Sequence, residues 1–363
     1  MHVTANRQPA ANASVVRVAV DLAKDVFELA FADANHRIVE RKRLSRGAFA
    51  RCFDNRAPLR IVMEACGSAH YWARRFQGIG HEPLLLPAHD VRPYVRRNKT
   101  DRADAAGLLE ADRCADIHPV PIKSADQQGI QGMHRIREHL KSQRTAHINL
   151  IRGLLREFGI AISSGAERVR PATLAALEDA DNDLPMALRH SLSHLLDQIA
   201  LCETGMQDIE RELQAFARRD VRSQRYQQAA GVGLITATAL SASLGELARF
   251  DSGRHLASAL GLTPREHSSG STRRLGRITK RGDSYLRTLL IHGARSALTA
   301  ARGALKQGRA LDRTQAWAVA LADRIGHNKA AVALANKTIR RLWAADHHGQ
   351  AFDPNHLSER RAH

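Results

Sequence analysis

Four carboxylates have the type and spacing to do chemistry. Asp21 closes the apolar run Val15-Val16-Arg17-Val18-Ala19-Val20, Glu64 closes Arg60-Ile61-Val62-Met63, and Asp101 and Asp104 lie three apart in NKTDRADA. Residues three apart share a helix face, so a helix packed across a sheet can bring that pair to carboxylates at strand ends. Four like charges brought close together are costly unless they are protonated or bound to a cation. Mg²⁺, with Mn²⁺ as a substitute, is the hard ion that suits an all-oxygen donor set. Two such ions ~3.5–4 Å apart activate an attacking oxygen and stabilise a leaving one in phosphodiester chemistry. Asp25 and Glu28, also near the first strand, compete for membership of the set. A lone Asp after a strand is ordinarily a turn residue and a lone DxxD a solvated helix face; the combination is what points to a site.

The elements needed to place these acids are legible. Val15–Val20 and Val26–Phe31 read as a hairpin opening a mixed sheet, Ile38–Leu44 as a third strand, and Arg60–Glu64 and Pro83–Pro87 as short buried strands. Helical stretches follow through His70-Tyr71-Trp72-Ala73 and from Thr100 to Cys114. The order βββαβα predicts a layered α/β domain over 15–120, preceded by an Ala/Asn/Pro-rich, aperiodic leader over 1–14 that is expected to be disordered. From 121 to 225 the pattern turns helical. Met133, Ile136, Leu140, Gln143, His147, Leu150 and Leu154 alternate by three and four, and Leu188, Leu192, Leu195, Ile199, Cys202, Met206, Ile209, Leu213 and Phe216 do so over several heptads. This predicts a coiled-coil linker, paired within one chain or between chains, with Arg135, Arg137, Lys141, Arg144, Arg152 and Arg156 on the outer faces of its first helix. A mainly α domain is expected over 226–345, with helices at Leu234–Leu244, Tyr285–Ala300 and Thr314–Trp343, and a disordered tail over 346–363. The small-residue turn Gly231-Val232-Gly233 before the first of these helices either presents N–H groups to a phosphate or simply starts the helix.

Composition narrows the partner. Lys and Arg total 55 against 37 Asp and Glu, a formal net charge of +18, which implies a polyanion, with nucleic acid foremost. No apolar run reaches the ~18 residues that span a bilayer, so no membrane role is expected. The four cysteines show no CxxC spacing and the histidines no metal-ligand pattern, so a reduced cytoplasmic setting is expected. Aromatic residues make up 4% of the chain, which favours recognition of backbone and shape over base stacking as the main binding mode.

The ordered set VAVDLAKDVFELA, IVMEACGS and NKTDRADA resembles the DEDD domain of a large insertion-sequence transposase family. GLTPREHSSGSTRRLGRITKRGDSYLRTLL, GVGLITATALSASLGELARF and GHNKAAVALANK are similar to that family's C-terminal domain, and the resemblance covers nearly the whole chain. It implies a RuvC-like, RNase H-type fold for the N-terminal domain and a bacterial, nucleoid-associated recombinase that moves a circular element, guided by a structured RNA from the element's own non-coding end. It further implies that a serine attacks a DNA phosphate to form a phosphoserine link, with the DEDD carboxylates and Mg²⁺ assisting from a neighbouring protomer of a dimer or tetramer. Mapped here, the nucleophile is Ser269, which directly precedes Gly270, with Ser268 the adjacent alternative. Arg265, Arg273, Arg274, Arg277, Lys280 and Arg281 surround the serine in sequence and suit the scissile phosphate or nonspecific backbone contact. No His–Asp pair stands at an evident spacing to activate the serine, which leaves the metal site as activator. The expected partners are DNA at element ends and target, the guide RNA, and further copies of the chain. Two other functions fit the residues less fully: a Holliday-junction-type nuclease that uses water, with the serine structural, and an inactive nucleic-acid-binding scaffold.

Overall fold

The computed structural model describes residues 15–95 and 100–356, in two compact units, 1–125 and 126–363. The leader expected over 1–14 and positions 357–363 of the expected tail lie outside the described residues.

The first unit is built on a five-stranded sheet. Strands β1 (Arg17–Asp21), β2 (Val26–Ala32) and β3 (Ile38–Ser45) form an antiparallel meander, and β4 (Arg60–Glu64) and β5 (Glu82–Leu86) join parallel to β1, giving the order β3-β2-β1-β4-β5. Side chains alternate between the two faces along each strand, and the faces differ in kind. Val18, Val20, Ile61 and Met63 meet an aromatic cluster carried by β2, helix α1 (Arg46–Arg51) and helix α2 (Ala69–Gly78). There Phe27 stacks on Phe49 at 4.3 Å, and Trp72 meets Phe49 edge-on at 4.7 Å. A chain poor in aromatics has concentrated them where one sheet face needs volume.

The other face carries small residues, Ala19, Ala30 and Ala32, beside Val62. They let a helix approach closely. After the single-turn α3 (Ala88–Val91), helix α4 (Asp101–Ala111) lies on that face through Ala105, Leu108 and Leu109. Thr100 caps it, its Oγ1 accepting from the Ala103 amide at 3.2 Å. Asp112 ends it. An acid is unfavourable at a helix C-terminus, and here Asp112 is compensated by Arg17 at 3.0 Å and Arg60 at 3.1 Å, the first residues of β1 and β4.

The second unit is helical, with one small hairpin. Helices α5 (Ala125–Glu157), α6 (Val169–Glu178) and α7 (Met186–Arg219) come first. Arg137 meets Glu210 at 2.6 Å and Arg144 meets Glu203 at 2.6 Å. Partners that descend in number along α7 as they ascend along α5 make the two helices antiparallel neighbours in one chain. On α7, Leu192, Ile199, Cys202 and Leu213 of the expected seam are buried, its other positions are half-buried, and Leu196 and Ala217 beside it are buried as well. On α5 it is displaced. The buried residues are Ile130, His134, Ile148, Ile151 and Leu155, whereas Ile136 and Leu150 of the expected seam are 55% and 49% exposed. Arg137 and Arg144, expected on the outer face, turn to α7. A seam carrying two arginines and a buried histidine is not apolar enough to be found by counting hydrophobes, so the periodicity locked onto the neighbouring stripe.

The chain continues through α8 (Val221–Tyr226), α9 (Leu234–Leu244), α10 (Gly253–Ala259), strands β6 (Pro264–Glu266) and β7 (Leu275–Ile278), and helices α11 (Ser284–Lys306), α12 (Arg313–Ile325) and α13 (His327–His347). Helix α9 is buried on nearly every side. The Gly231 turn before it has a packing reason: Gly231 adopts φ +84°, and a Cβ on Gly293 of α11 would fall 1.9 Å from the Gly231 carbonyl oxygen. The helix expected over Thr314–Trp343 is two helices, parted at Gly326 with φ +87°. The expected disordered tail is corrected from its first residue. Asp346 lies in α13, is 7% exposed, pairs with Arg225 at 3.1 Å and accepts from the Leu247 amide at 2.9 Å. Phe352 then packs against the core, and Asn355 accepts from the Arg313 amide at 3.0 Å. No helix among the described residues is long and apolar enough to cross a membrane.

Candidate active site

The acids and the serine belong to different units. In the first unit, β1 and β4 run parallel with Val20 opposite Met63, so Asp21 and Glu64 stand one step further along, side by side at the same strand ends. By alternation both share the face of Ala19 and Val62, the face on which α4 lies. Helix α4 is tied by Asp112 to the opposite ends of β1 and β4. Its length of ~16 Å at 1.5 Å per residue therefore carries its first turn back along the strands to the level of Asp21 and Glu64. Asp101, Asp104, Leu108 and Asp112 recur at i, i+3, i+7 and i+11, one stripe, and the buried Leu108 fixes that stripe toward the sheet.

The register sets Asp21 beside Glu64, and the length of α4 brings its first turn toward their level. Asp21, Glu64 and Asp104 are half-buried and Asp101 is exposed. Burial pushes the Cys66 thiol up; the Ser68 amide opposes this, and Glu64 and Asp21 both add to it, so one thiol feels both strand-end carboxylates. Of the two competitors, Asp25 is exposed at the β1–β2 turn, where its carbonyl accepts from the Arg46 amide at 3.0 Å. Glu28 lies directly opposite Asp21 in the β1–β2 pair and is half-buried. Arg41 donates to the Arg102 carbonyl at 3.2 Å. Burial and then Arg102 pull its pKa down, and Glu28 opposes them, which places Glu28 near the first turn of α4 as well.

These oxygens suit a hard divalent cation in kind. They do not form a closed cage: among the described residues no three His, Cys, Asp or Glu side chains stand close enough together to hold a metal ion.

In the second unit, the segment that carries Ser268 and Ser269 is a β-hairpin. Pro264 pairs with Ile278 and Glu266 with Leu275, and the Ser269 and Thr272 backbones exchange two hydrogen bonds at 3.2 and 3.1 Å around Gly270 and Ser271. Gly270 has φ +54° and Ser271 does not share the positive sign, the pattern of a two-residue turn with glycine first. Ser269 therefore sits at the tip. Its neighbour is otherwise engaged: the Ser268 hydroxyl donates to Glu266 Oε1 at 2.7 Å and accepts from the Arg274 amide at 3.2 Å. No hydrogen bond to the Ser269 hydroxyl occurs among the described residues.

The six expected cations, Arg265, Arg273, Arg274, Arg277, Lys280 and Arg281, are all on or beside this hairpin, and all six are exposed. Arg273 stands 3.5 Å from Glu266, and Arg265 donates to the Thr279 carbonyl at 3.4 Å. Sequence reasoning missed Glu266. Its signal was the two-residue spacing to Ser268, which puts both on one face of a strand once a strand is recognised.

Two family models match the chain, one over the segment that holds the acids and one over the segment that holds the hairpin. The DEDD transposase model of IS110 elements matches residues 18–160, and the model described as the transposase IS116/IS110/IS902 family matches residues 223–308. A Pseudomonas aeruginosa protein described as "Probable family 20 transposase" is 42% identical over 90% of this chain and 96% of its own length. The transposase for insertion sequence element IS1111A of Coxiella burnetii is 38% identical over 90% of this chain and 88% of its own. The transposase for insertion sequence element IS1328 of Yersinia enterocolitica is 33% identical over 93% and 99%.

Proposed function

The chain belongs to the IS116/IS110/IS902 family of transposases, and from that premise we propose that it cuts and rejoins DNA through a phosphoserine intermediate at Ser269, with Asp21, Glu64, Asp101 and Asp104 as the metal-binding half of the site. The observation that carries this reading is the hairpin tip: Ser269 is exposed, unengaged among the described residues and set amid cations, while Ser268 is used in holding the turn.

In the cutting step a bond forms between Ser269 Oγ and the phosphorus as the bond to one bridging sugar oxygen breaks, and the serine proton ends on the departing oxygen. Rejoining is the reverse, with a hydroxyl from another strand. The phosphodiester energy is conserved and no other reactant is needed. Arg265, Arg277, Lys280 and Arg281 hold the phosphate and offset charge developing on its oxygens, while Arg273 and Arg274 flank the turn. A serine hydroxyl is a weak nucleophile without a base or metal, and the hairpin supplies neither to Ser269. Asp21, Glu64, Asp101 and Asp104 of a neighbouring protomer would hold Mg²⁺, which would supply Lewis-acid stabilisation of the attacking and departing oxygens. The carboxylates themselves orient that site and accept the proton in transit.

The sheet order β3-β2-β1-β4-β5, with acids at the ends of β1 and β4, supports an RNase H-type, RuvC-like reading of the first unit. We assign backbone contacts to the exposed hairpin cations and the choice of DNA sequence to a guide RNA. Strand exchange needs more than one serine, and the exposed Ile136 and Leu150 stripe of α5 is our candidate surface for association of copies.

The test is a denaturing gel after incubation with Mg²⁺, the element's RNA and nicked suicide DNA. A covalent adduct is expected in the unaltered chain and in Ser268→Ala, and is expected to vanish in Ser269→Ala and Glu64→Ala. Cleavage without adduct in every variant would make water the nucleophile.

A further inference from the structure

Within the second unit, a groove of about 1780 Å³ runs between α10, α12, α13 and the base of the β6–β7 hairpin. Its lining includes eight Arg and Lys residues and, among the described residues, no Asp or Glu. Arg254, Arg277, Lys280, Lys329, Lys337 and Arg340 are among them, and none of these six has an acidic partner among the described residues. Cations collected in a concavity without counter-charge repel one another. Burial and then Arg341, Arg313 and Arg340 hold Lys337 below its usual range, and burial and then Arg254 do the same to Arg340. Such a surface is completed by a polyanion.

The floor is of another kind. Leu262, Ile278, Val332, Ala333, Trp317 and Trp343 line it. The chain has three tryptophans. Trp72 is spent in the first unit's core, and the other two are here. Trp317 is 36% exposed, and Lys337 Nζ lies 4.0 Å from its ring centroid. Trp343 is held from behind by its indole N–H, which donates to the Phe250 carbonyl at 2.8 Å.

A duplex keeps its bases stacked inside and offers a protein phosphates and groove edges. It would satisfy the cationic rim and leave the apolar floor wet. An unpaired strand offers both a phosphate backbone and exposed base faces, and base faces on an aromatic platform inside a cationic groove are how unpaired strands are held without regard to sequence. Resting on the reading that this chain acts on nucleic acid, we propose that the groove binds an unpaired polynucleotide strand, with a base on Trp317 and phosphates on Lys337, Arg340, Lys329 and Lys280. Arg277 and Ile278 belong to both the groove wall and the hairpin. Along β7 the distance from Ile278 to Thr272 at the turn is roughly 20 Å at 3.3 Å per residue, so a strand leaving the groove along the hairpin is led toward Ser269. Strand exchange generates unpaired segments, and this groove gives them a place beside the nucleophile.

Binding of 20-nucleotide oligo-dT, oligo-rU, a 20-base-pair duplex and polyphosphate to the full chain tests this, read by tryptophan fluorescence and anisotropy. Oligo-dT and oligo-rU are expected to quench the fluorescence, and Trp317→Ala is expected to weaken both about tenfold, with Trp317→Phe restoring most of the loss and duplex affinity unchanged. Lys337→Gln is expected to weaken both single strands and lower their salt dependence. A preference for dT over rU, or the reverse, identifies which strand the groove receives. The proposal is overturned if Trp317→Ala binds single strands as the unaltered chain does, or if it weakens duplex and polyphosphate equally. The adduct on nicked DNA separates the two readings: an adduct with no single-strand preference removes the groove and keeps the phosphoserine reading, whereas single-strand quenching without any adduct does the opposite.

Discussion

The acidic end of the sheet and the serine hairpin are built on opposite terms. Asp21 and Glu64 extend from strands whose preceding residues, Val18 to Val20 and Ile61 to Met63, are 0% exposed, and the helix bearing Asp101 and Asp104 is anchored at its far end by a buried carboxylate. From Pro264 to Arg277, by contrast, every residue is exposed, and Ser269 is positioned by two backbone hydrogen bonds across a turn. Carboxylates that share a cation need fixed placement, which only a packed core gives. On the proposed reading, a nucleophile that must reach a phosphate on a large, stiff duplex needs projection, which a core would deny it, and the chemistry is divided between a rigid partner and a reaching one.

Asp112→Ala should separate them most clearly. Its carboxylate is fully buried, while Arg17 and Arg60 are partly open to water, so removing it leaves two partly solvated cations and frees the C-terminus of α4. A loss of about 2–3 kcal/mol is expected in urea unfolding of the N-terminal unit. Adduct formation should fall as the first turn of α4 loses its level against Asp21 and Glu64, although Asp112 lies at the wrong end of the helix to touch them. Arg273→Ala, which breaks the exposed pair with Glu266, should change stability by less than about 0.5 kcal/mol. Equal losses for the two variants would erase the distinction between rigid and reaching halves.

What the sequence disclosed follows the same line. The strands β1 and β4 were readable because a sheet covered on both faces leaves short runs of consecutive apolar residues, and α4 because Thr100 caps it. The hairpin was not readable. Pro264–Ile278 buries almost nothing, so no hydrophobic alternation marks it, and SSGS is equally consistent with an irregular loop. The α5 stripe misled for a related reason: Arg137 and Arg144 face α7 to pair with Glu210 and Glu203, and a pattern that counts only apolar residues assigns such positions to solvent. The basic groove was invisible because its cations are drawn from α10, β7, α12 and α13, elements far apart in the chain.

Each unit also holds a neutral histidine, and acid should tell the two apart. Burial and then Arg137 hold the pKa of His134 at about 4, with its ring nitrogens 3.1 Å from the Tyr285 and Thr238 hydroxyls. Burial, Lys123 and Arg74 bring His70 to about 4 as well; its Nδ1 accepts from the Lys123 amide at 3.2 Å, a bond that protonation would break. Both folded values lie below the unfolded value of ~6.5. The unfolded chain therefore takes up protons below pH 6.5 that the folded chain refuses, and the stability present above 6.5 is lost as pH falls toward 4. For the more deeply buried His134 the loss is about 2 kcal/mol; for the half-exposed His70 it is smaller. Urea unfolding at pH 7.5 and 4.5 should show the decline, and His134→Gln should remove the larger share of it, in the helical unit. A stability that does not change between these pH values would contradict both assignments.

Gly270→Ala bears most directly on what the hairpin is for. A Cβ there meets nothing within 4 Å, but φ is +54°, so the cost is backbone strain of about 1 kcal/mol. That strain falls on a turn whose opening exposes no core, so the melting temperature should be nearly unchanged. The strain is relieved if the turn shifts to another type, and any such shift rotates the Ser269 hydroxyl, which nothing else restrains. Adduct formation is therefore expected to drop about tenfold, since small misplacements of a reacting group carry large rate costs. Asn at this position tolerates the left-handed region better than Ala, so Gly270→Asn should recover part of the loss. Full activity in Gly270→Ala would mean that the tip needs no defined shape before it meets DNA, and that the substrate, rather than the turn, aims the serine.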